Sequence, residues 1–163
     1  MTKKLKTFLF IAFVFSSITG SCAAPVVNTD SLIQQYCKAH KLIPQKSESG
    51  LYYVIKEKGN GAAVTDSGMV SLNYNLNLVD GIIIDGTTKK KYGHKTPFEY
   101  KVGRLVPKPG GVLPGFNEGM KQLNVGGDAI FIIPPTLGYG DLDLKVVPPN
   151  SVLIFEVQVL GIK

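Results

Sequence analysis

Cysteine and histidine are scarce in this chain, with two of each among its 163 residues. Two cysteines are too few for a disulfide-built scaffold or an all-cysteine zinc site. The histidines, His40 and His94, lie far apart, and neither adjoins a serine or cysteine motif that would make it the base of a covalent catalyst. No HExxH, CxxC or calcium-loop spacing occurs, and Gly59-Asn60-Gly61 does not continue into a phosphate-binding loop. Asp141 and Asp143 read as solvated loop acids. No metal site and no organic cofactor is therefore expected. The 18 glycines and 10 prolines fall between apolar runs and not in a repetitive tract, which excludes a disordered or collagen-like chain. The length suits one globular domain with a modest appendage.

The formal charge of +6 hints at nucleic acid, but half of it is borrowed from the first residues. Lys3, Lys4 and Lys6 precede the apolar run Phe8–Phe15, and the small residues Thr19-Gly20-Ser21 follow. That order describes a secretory signal peptide over residues 1–21. The run falls short of the roughly 20 apolar residues a bilayer span takes, and no other segment reads as a span. Removing three lysines and no acid lowers the charge from +6 to +3. Lys89-Lys90-Lys91 beside Tyr92 reads as a solvated loop, so no nucleic-acid partner is expected. Cys22 follows the small pair and resembles the acylated cysteine of bacterial lipoproteins, with Thr19 where that motif usually carries leucine. Cleavage after Ala23 or Ala24 is the alternative. The lipoprotein reading makes this an exported protein, periplasmic or outer-membrane-associated, touching the membrane only through a lipid on Cys22. It leaves Cys37 alone; an unmodified Cys22 would make a Cys22–Cys37 bridge conceivable.

Residues 22–49 divide into a tether and a short helix. Thr29, Asp30 or Ser31 would cap the helix, which runs to about Leu42 and is closed by Pro44. Leu32, Ile33, Tyr36, Cys37 and His40 fall near three- and four-residue spacing. So short a helix needs a surface to pack on, expected to be its own domain. Cys37 reads as a small apolar residue of that face and His40 as a packed or surface histidine.

From Gly50 the pattern changes to strands. Leu51–Ile55 is β-rich and ends at the turn Lys58–Gly61. Val70, Leu72, Tyr74, Leu76 and Leu78 alternate with Ser71, Asn73, Asn75 and Asn77, as in a strand with one buried face. Asp80-Gly81 signals a hairpin returning through Ile82-Ile83-Ile84. Phe98, Tyr100 and Val102 alternate in a further strand. Asn117–Leu123 has helical character, Ala129–Ile133 reads as a buried strand stopped by Pro134-Pro135, and Ser151–Ile162 is the last strand. The sum is an α+β domain over residues 50–163, an antiparallel sheet with one short helix inserted between its strands.

Over the same stretch the chain resembles the FKBP-type peptidyl-prolyl cis-trans isomerases. The motifs appear in that family's order: Val70–Tyr74, Asp80-Gly81 with Asp85, Pro97-Phe98, Val102-Gly103 and Val112–Gly119. Ile133-Pro134-Pro135, Leu137–Gly140, Val147–Asn150 and Leu153–Val157 complete the set. The resemblance implies a half-barrel of antiparallel β-sheet wrapped around one short α-helix. It implies rotation of Xaa-Pro amides in exported polypeptides, a folding-helper role that needs no nucleophile. Position by position, Phe116 would be the floor under a proline ring. Tyr74, Ile84, Phe98, Val112, Leu113 and Phe155 would be the walls, and Val146 and Val147 would flank the residue before proline. The Leu113 N–H would bond a substrate carbonyl, Tyr139 would offer its phenol, and Asp85 would be the carboxylate near the twisting amide, held by a donor such as Tyr74.

Three departures from the family pattern are visible. Phe116 stands where the best-studied members have tryptophan, and Ile84 where a phenylalanine usually precedes the aspartate. The connection from Gly103 to Val112 carries the extra Pro107-Lys108-Pro109-Gly110-Gly111, which would overhang the pocket mouth. The resemblance implies proline-containing polypeptides as substrates and macrolides as inhibitors; the short N-terminal helix is too weak a signal for a dimer, so a monomer is expected. A cup that binds proline segments as a holdase without catalysis, and a structural component docking through the N-terminal helix, are the competing readings.

Overall fold

The computed structural model describes residues 28–88, 94 and 96–163. The signal segment, Cys22 and the lysine run at 89–91 lie outside the described residues. In chain order the elements are α1 (Thr29–Ala39), β1 (Gln45–Lys46), β2 (Tyr52–Glu57), β3 (Met69–Leu78), β4 (Ile83–Gly86), β5 (Phe98–Lys101), α2 (Pro114–Met120), β6 (Asp128–Ile133) and β7 (Leu153–Ile162). A 3-10 turn at Pro135–Leu137 follows β6.

The alternation along β3 sets the sheet. Val70, Leu72, Leu76 and Leu78 are buried while the asparagines between them remain part-exposed. β3 pairs along its whole length with β7. Its other edge is divided, with β5 bound to Met69–Leu72 and β4 to Asn75–Asn77. The fork falls at Tyr74, whose backbone is closed off by Thr87. The Thr87 N–H donates to the Tyr74 carbonyl at 2.9 Å, and the Tyr74 N–H donates to Thr87 Oγ1 at 3.0 Å. All pairings are antiparallel, in the order β1-β2-β6-β7-β3-β4 with β5 beside β3.

The two faces of this sheet carry separate cores. One gathers Leu72, Leu113, Phe116, Met120, Phe131, Leu153 and Phe155 around α2. The other gathers Tyr52, Ile130, Ile132, Val152 and Ile154 beneath α1, which contributes Ile33 and Cys37. α1 thus packs on its own domain. Ile33 is fully buried, which adds about 1.5–3 kcal/mol, and Cys37 is nearly so. Cys37 is a free thiol. His40 is exposed and lies against Tyr36, with ring centroids 4.2 Å apart and the rings tilted by 32°.

The helix ends differ from expectation. Asn28, one residue before Thr29, is the N-cap, its side chain accepting from the Asp30 N–H at 2.9 Å. α1 stops at Ala39, before Leu42 and well before Pro44, because Lys41 adopts a left-handed conformation at φ 55. α2 starts at Pro114, not Asn117, and ends at Met120. Proline at the first helical position needs no N–H there. Two glycines inside α2 argue against helix by propensity, yet tertiary contact requires them. A Cβ on Gly115 would lie 2.7 Å from Ile133 Cγ2, and one on Gly119 2.7–2.8 Å from the Phe131 ring.

The Gly119→Ala chain is therefore expected to lose about 1–3 kcal/mol of stability through overpacking, despite the better helix propensity of alanine. Urea unfolding should show a lower midpoint with an unchanged slope; an equal or higher midpoint would contradict the close approach.

Candidate functional site

Where β4 and β5 part from β3, an open cavity of about 150 Å³ lies against α2. That is below the roughly 300–1,000 Å³ of a drug-sized ligand pocket and suits a single ring. Phe116, the third residue of α2, is 3% exposed and packs edge-on against Phe155, with centroids 4.9 Å apart. Tyr74 meets Phe98 edge-on at 5.6 Å. Val112, Leu113, Tyr139 and Asp85 complete the expected lining, joined by Leu76, Val106 and Gly111.

Ile84, expected as a wall, and Val146 and Val147, expected to flank the residue before proline, are not among the residues lining this cavity. Ile84 is half-buried against the core but does not line the cavity. Val147 is 2% exposed, packed inside the core, whereas its neighbour Val146 is 66% exposed. One valine is consumed by packing and the other turned to solvent.

The carboxylate is fully engaged. Asp85 Oδ2 accepts from the Tyr74 hydroxyl at 2.6 Å, and Oδ1 accepts from the Gly86 N–H at 2.8 Å. His94 Nε2 lies 3.0 Å from the same Oδ1. Partial burial pushes the Asp85 carboxyl up, but the bonds from Tyr74, Gly86 and His94 together outweigh it and hold the group below its ordinary value. Burial pushes the phenols of Tyr74 and Tyr139 up, followed by the hydrogen bond to Asp85 for Tyr74 and by the Asp85 charge for Tyr139, so both remain protonated donors. Sequence reasoning missed His94, because its approach to Asp85 depends on how the β4–β5 connection closes, and no local pattern encodes that.

Two donors at the cavity are unspent. The N–H of Leu113, the residue that caps α2, has no acceptor among the described residues, although its side chain is 4% exposed. The Tyr139 hydroxyl likewise has no partner among them. Buried N–H groups are seldom left unpaired, so the geometry is ready to receive a carbonyl. Among the described residues no cluster of histidine, cysteine or acidic side chains could hold a metal, and no helix is long and apolar enough to cross a membrane.

An antiparallel sheet folded over a short helix, with an aromatic cup where its strands fork, is the architecture of the FKBP class. Residues 61–160 match the model of the FKBP-type peptidyl-prolyl cis-trans isomerases, and the chain belongs to that family. It is 37% identical over 117 residues to the FKBP-type peptidyl-prolyl cis-trans isomerase FkpA of Escherichia coli K12, covering 72% of this chain and 39% of that protein. The crystal structure of FkpA from Escherichia coli superposes with a TM-score of 0.68 at 32% identity, over 83% of this chain and 59% of that one. The crystal structure of AtFKBP13 gives 0.63 at 26% identity, over 73% and 98%. The chain spans about two fifths of the length of the curated relatives it matches.

A carboxyl held below its ordinary value stabilises the fold above that value, near pH 4, and the contribution is lost as pH falls through the depressed one. The stability difference between the native chain and Asp85→Asn should therefore narrow below about pH 4. Urea titrations at several pH values check this; a constant difference would mean that Asp85 gains nothing from its donors.

Proposed function

We propose that this chain is a peptidyl-prolyl cis-trans isomerase acting on proline-containing segments of exported polypeptides. The observation that carries the reading is the pair of unspent donors, Leu113 N–H and Tyr139 hydroxyl, at an aromatic cavity floored by Phe116. The barrier to rotating an Xaa-Pro amide is about 18–20 kcal/mol, and it comes from resonance, not from a bond that must break. A catalyst has only to favour the twisted amide over either planar form.

Each part of the site has a role in that preference. The aromatic walls grip the proline ring and exclude water, which strengthens the polar contacts inside. The Leu113 N–H and the Tyr139 phenol receive substrate carbonyls. Twisting localises the nitrogen lone pair and removes its delocalisation into the carbonyl, so fixed donors and a fixed carboxylate meet a changed charge distribution. Asp85, clamped by Tyr74, keeps its charge near that amide at no reorganisation cost. Every 1.36 kcal/mol of such preference is about tenfold in rate. Macrolide inhibitors filling the same cavity belong to this reading. Binding of proline segments without turnover is the second reading, favoured by the position of Ile84 outside the cavity, which leaves one wall fewer.

Residues 23–163 should accelerate the cis-to-trans change of Leu-Pro and Phe-Pro peptides. Removing one neutral hydrogen bond, about 0.5–1.5 kcal/mol, should make Tyr139→Phe slower by about two- to tenfold. Asp85→Asn should also be slower. A folded chain that leaves the rate unchanged yet binds the peptides would establish the second reading instead.

The export part of the proposal rests on the sequence order of Lys3–Lys6, the apolar run and Cys22. Expressed in a Gram-negative host, the full chain should fractionate with membranes and Cys22→Ser should move to the soluble periplasm. Equal distribution of the two would exclude the lipid anchor.

A further inference from the structure

The long connection between Gly103 and Val112 is a built wall of the cavity and not a slack loop. Val106 N–H donates to the Val112 carbonyl and Val112 N–H to the Arg104 carbonyl, both at 3.0 Å, so the two ends are zipped together. Inside, Lys108 N–H donates to Leu105 at 3.1 Å and Gly111 N–H to Lys108 at 2.8 Å. Gly111 passes so close to the Leu105 carbonyl that no side chain fits there. The start of the loop is tied to α2, since the buried Asn117 side chain accepts from the Gly103 N–H at 2.8 Å. This frame holds Val106 at the cavity, where it is both a lining residue and 43% exposed. A large aliphatic side chain half open to water, fixed at the mouth of an aromatic cup, is an unfinished apolar contact.

We propose that Val106 is a specificity-determining residue, contacting the side chain that adjoins the substrate proline and favouring branched aliphatic or aromatic residues there. The inference rests on the proposed binding of proline segments in this cavity. Val106 adjoins Val112 and Gly111, the residues leading to the free Leu113 N–H, so a peptide whose carbonyl is received by Leu113 must pass it. The proline ring fills the small interior, which leaves the neighbouring side chain at the mouth.

The experiment compares the native chain with Val106→Ser and the volume-matched Val106→Thr. The probes are tetrapeptides in which the residue before, and then after, proline is leucine, phenylalanine, alanine or glutamate. Both kcat/KM for isomerisation and Kd by titration are measured. Loss of a half-buried apolar contact should weaken leucine and phenylalanine peptides by about three- to tenfold on one side of proline. Alanine and glutamate peptides should change less than about twofold, with the loss in KM and Kd and not in kcat. Val106→Thr should follow Val106→Ser in direction, although it fills the same volume. A uniform loss across all peptides, or none, would overturn the assignment. If the native chain binds selectively but does not accelerate isomerisation, the catalytic reading fails while the Kd pattern still decides the role of Val106.

Discussion

The closeness of α2 to β6 is the constraint on which the site depends. Gly115 and Gly119 remove the side chains that would hold the helix away from Ile133 and Phe131. Between them Phe116 is carried down into the fold of the sheet, edge-on to Phe131 and Phe155. The residue before the helix, Leu113, then ends with a buried side chain and a free N–H at the same cavity. A helix of seven residues is marginal alone. Its position is dictated by tertiary packing, and so is every contact made from its first turn.

The division of the edge of β3 supplies the rest. A strand that kept one partner along its whole edge would leave no opening at Tyr74. Because β5 takes one half and β4 the other, the Tyr74 and Phe98 rings and the Asp85 carboxylate converge on the gap. Thr87 repairs the backbone there, satisfying both polar groups of Tyr74. The fork thus creates a cavity without leaving that residue's backbone unpaired, which in a buried strand would cost about 1–3 kcal/mol per group.

Much of this was legible from the chain. Period-two alternation in β3 fixes which of its side chains face α2, and the spacing of Leu32, Ile33, Tyr36 and Cys37 already shows a helix in need of a surface to pack on. What escaped has identifiable physical reasons. α2 lies three residues earlier than its local pattern implies, because its glycines look like breakers until Phe131 and Ile133 are placed against them. Val146 and Val147 are equivalent in sequence, and only the packing of the loop separates a solvated side chain from a core one. His94 reaches Asp85 through chain closure, which leaves no periodic trace. Ile84 adjoins the aspartate in sequence but sits where β4 slips register against β3, and there it packs on the core beside the cavity without lining it.

A site without a nucleophile places its demands on rigidity. For the proposed isomerisation the donors must keep their positions as the amide turns, since a donor that followed the substrate would stabilise planar and twisted forms alike. The arrangement meets that demand by tying the carboxylate, the Leu113 N–H and the loop at the mouth from behind. Asp85 is held at both oxygens, Leu113 is fixed by the helix it caps, and the loop carrying Val106 is zipped at its ends and anchored by Asn117. Replacing tryptophan by Phe116 at the floor removes a ring N–H but not the constraint, because the ring is still wedged among Tyr100, Phe131 and Phe155. Apolar surface is thus offered at two levels, by buried Phe116 at the base of the cup and by half-exposed Val106 at its rim. In the proposed role the base would hold the proline ring and the rim its neighbour in the chain, so discrimination between substrates should reside at the mouth.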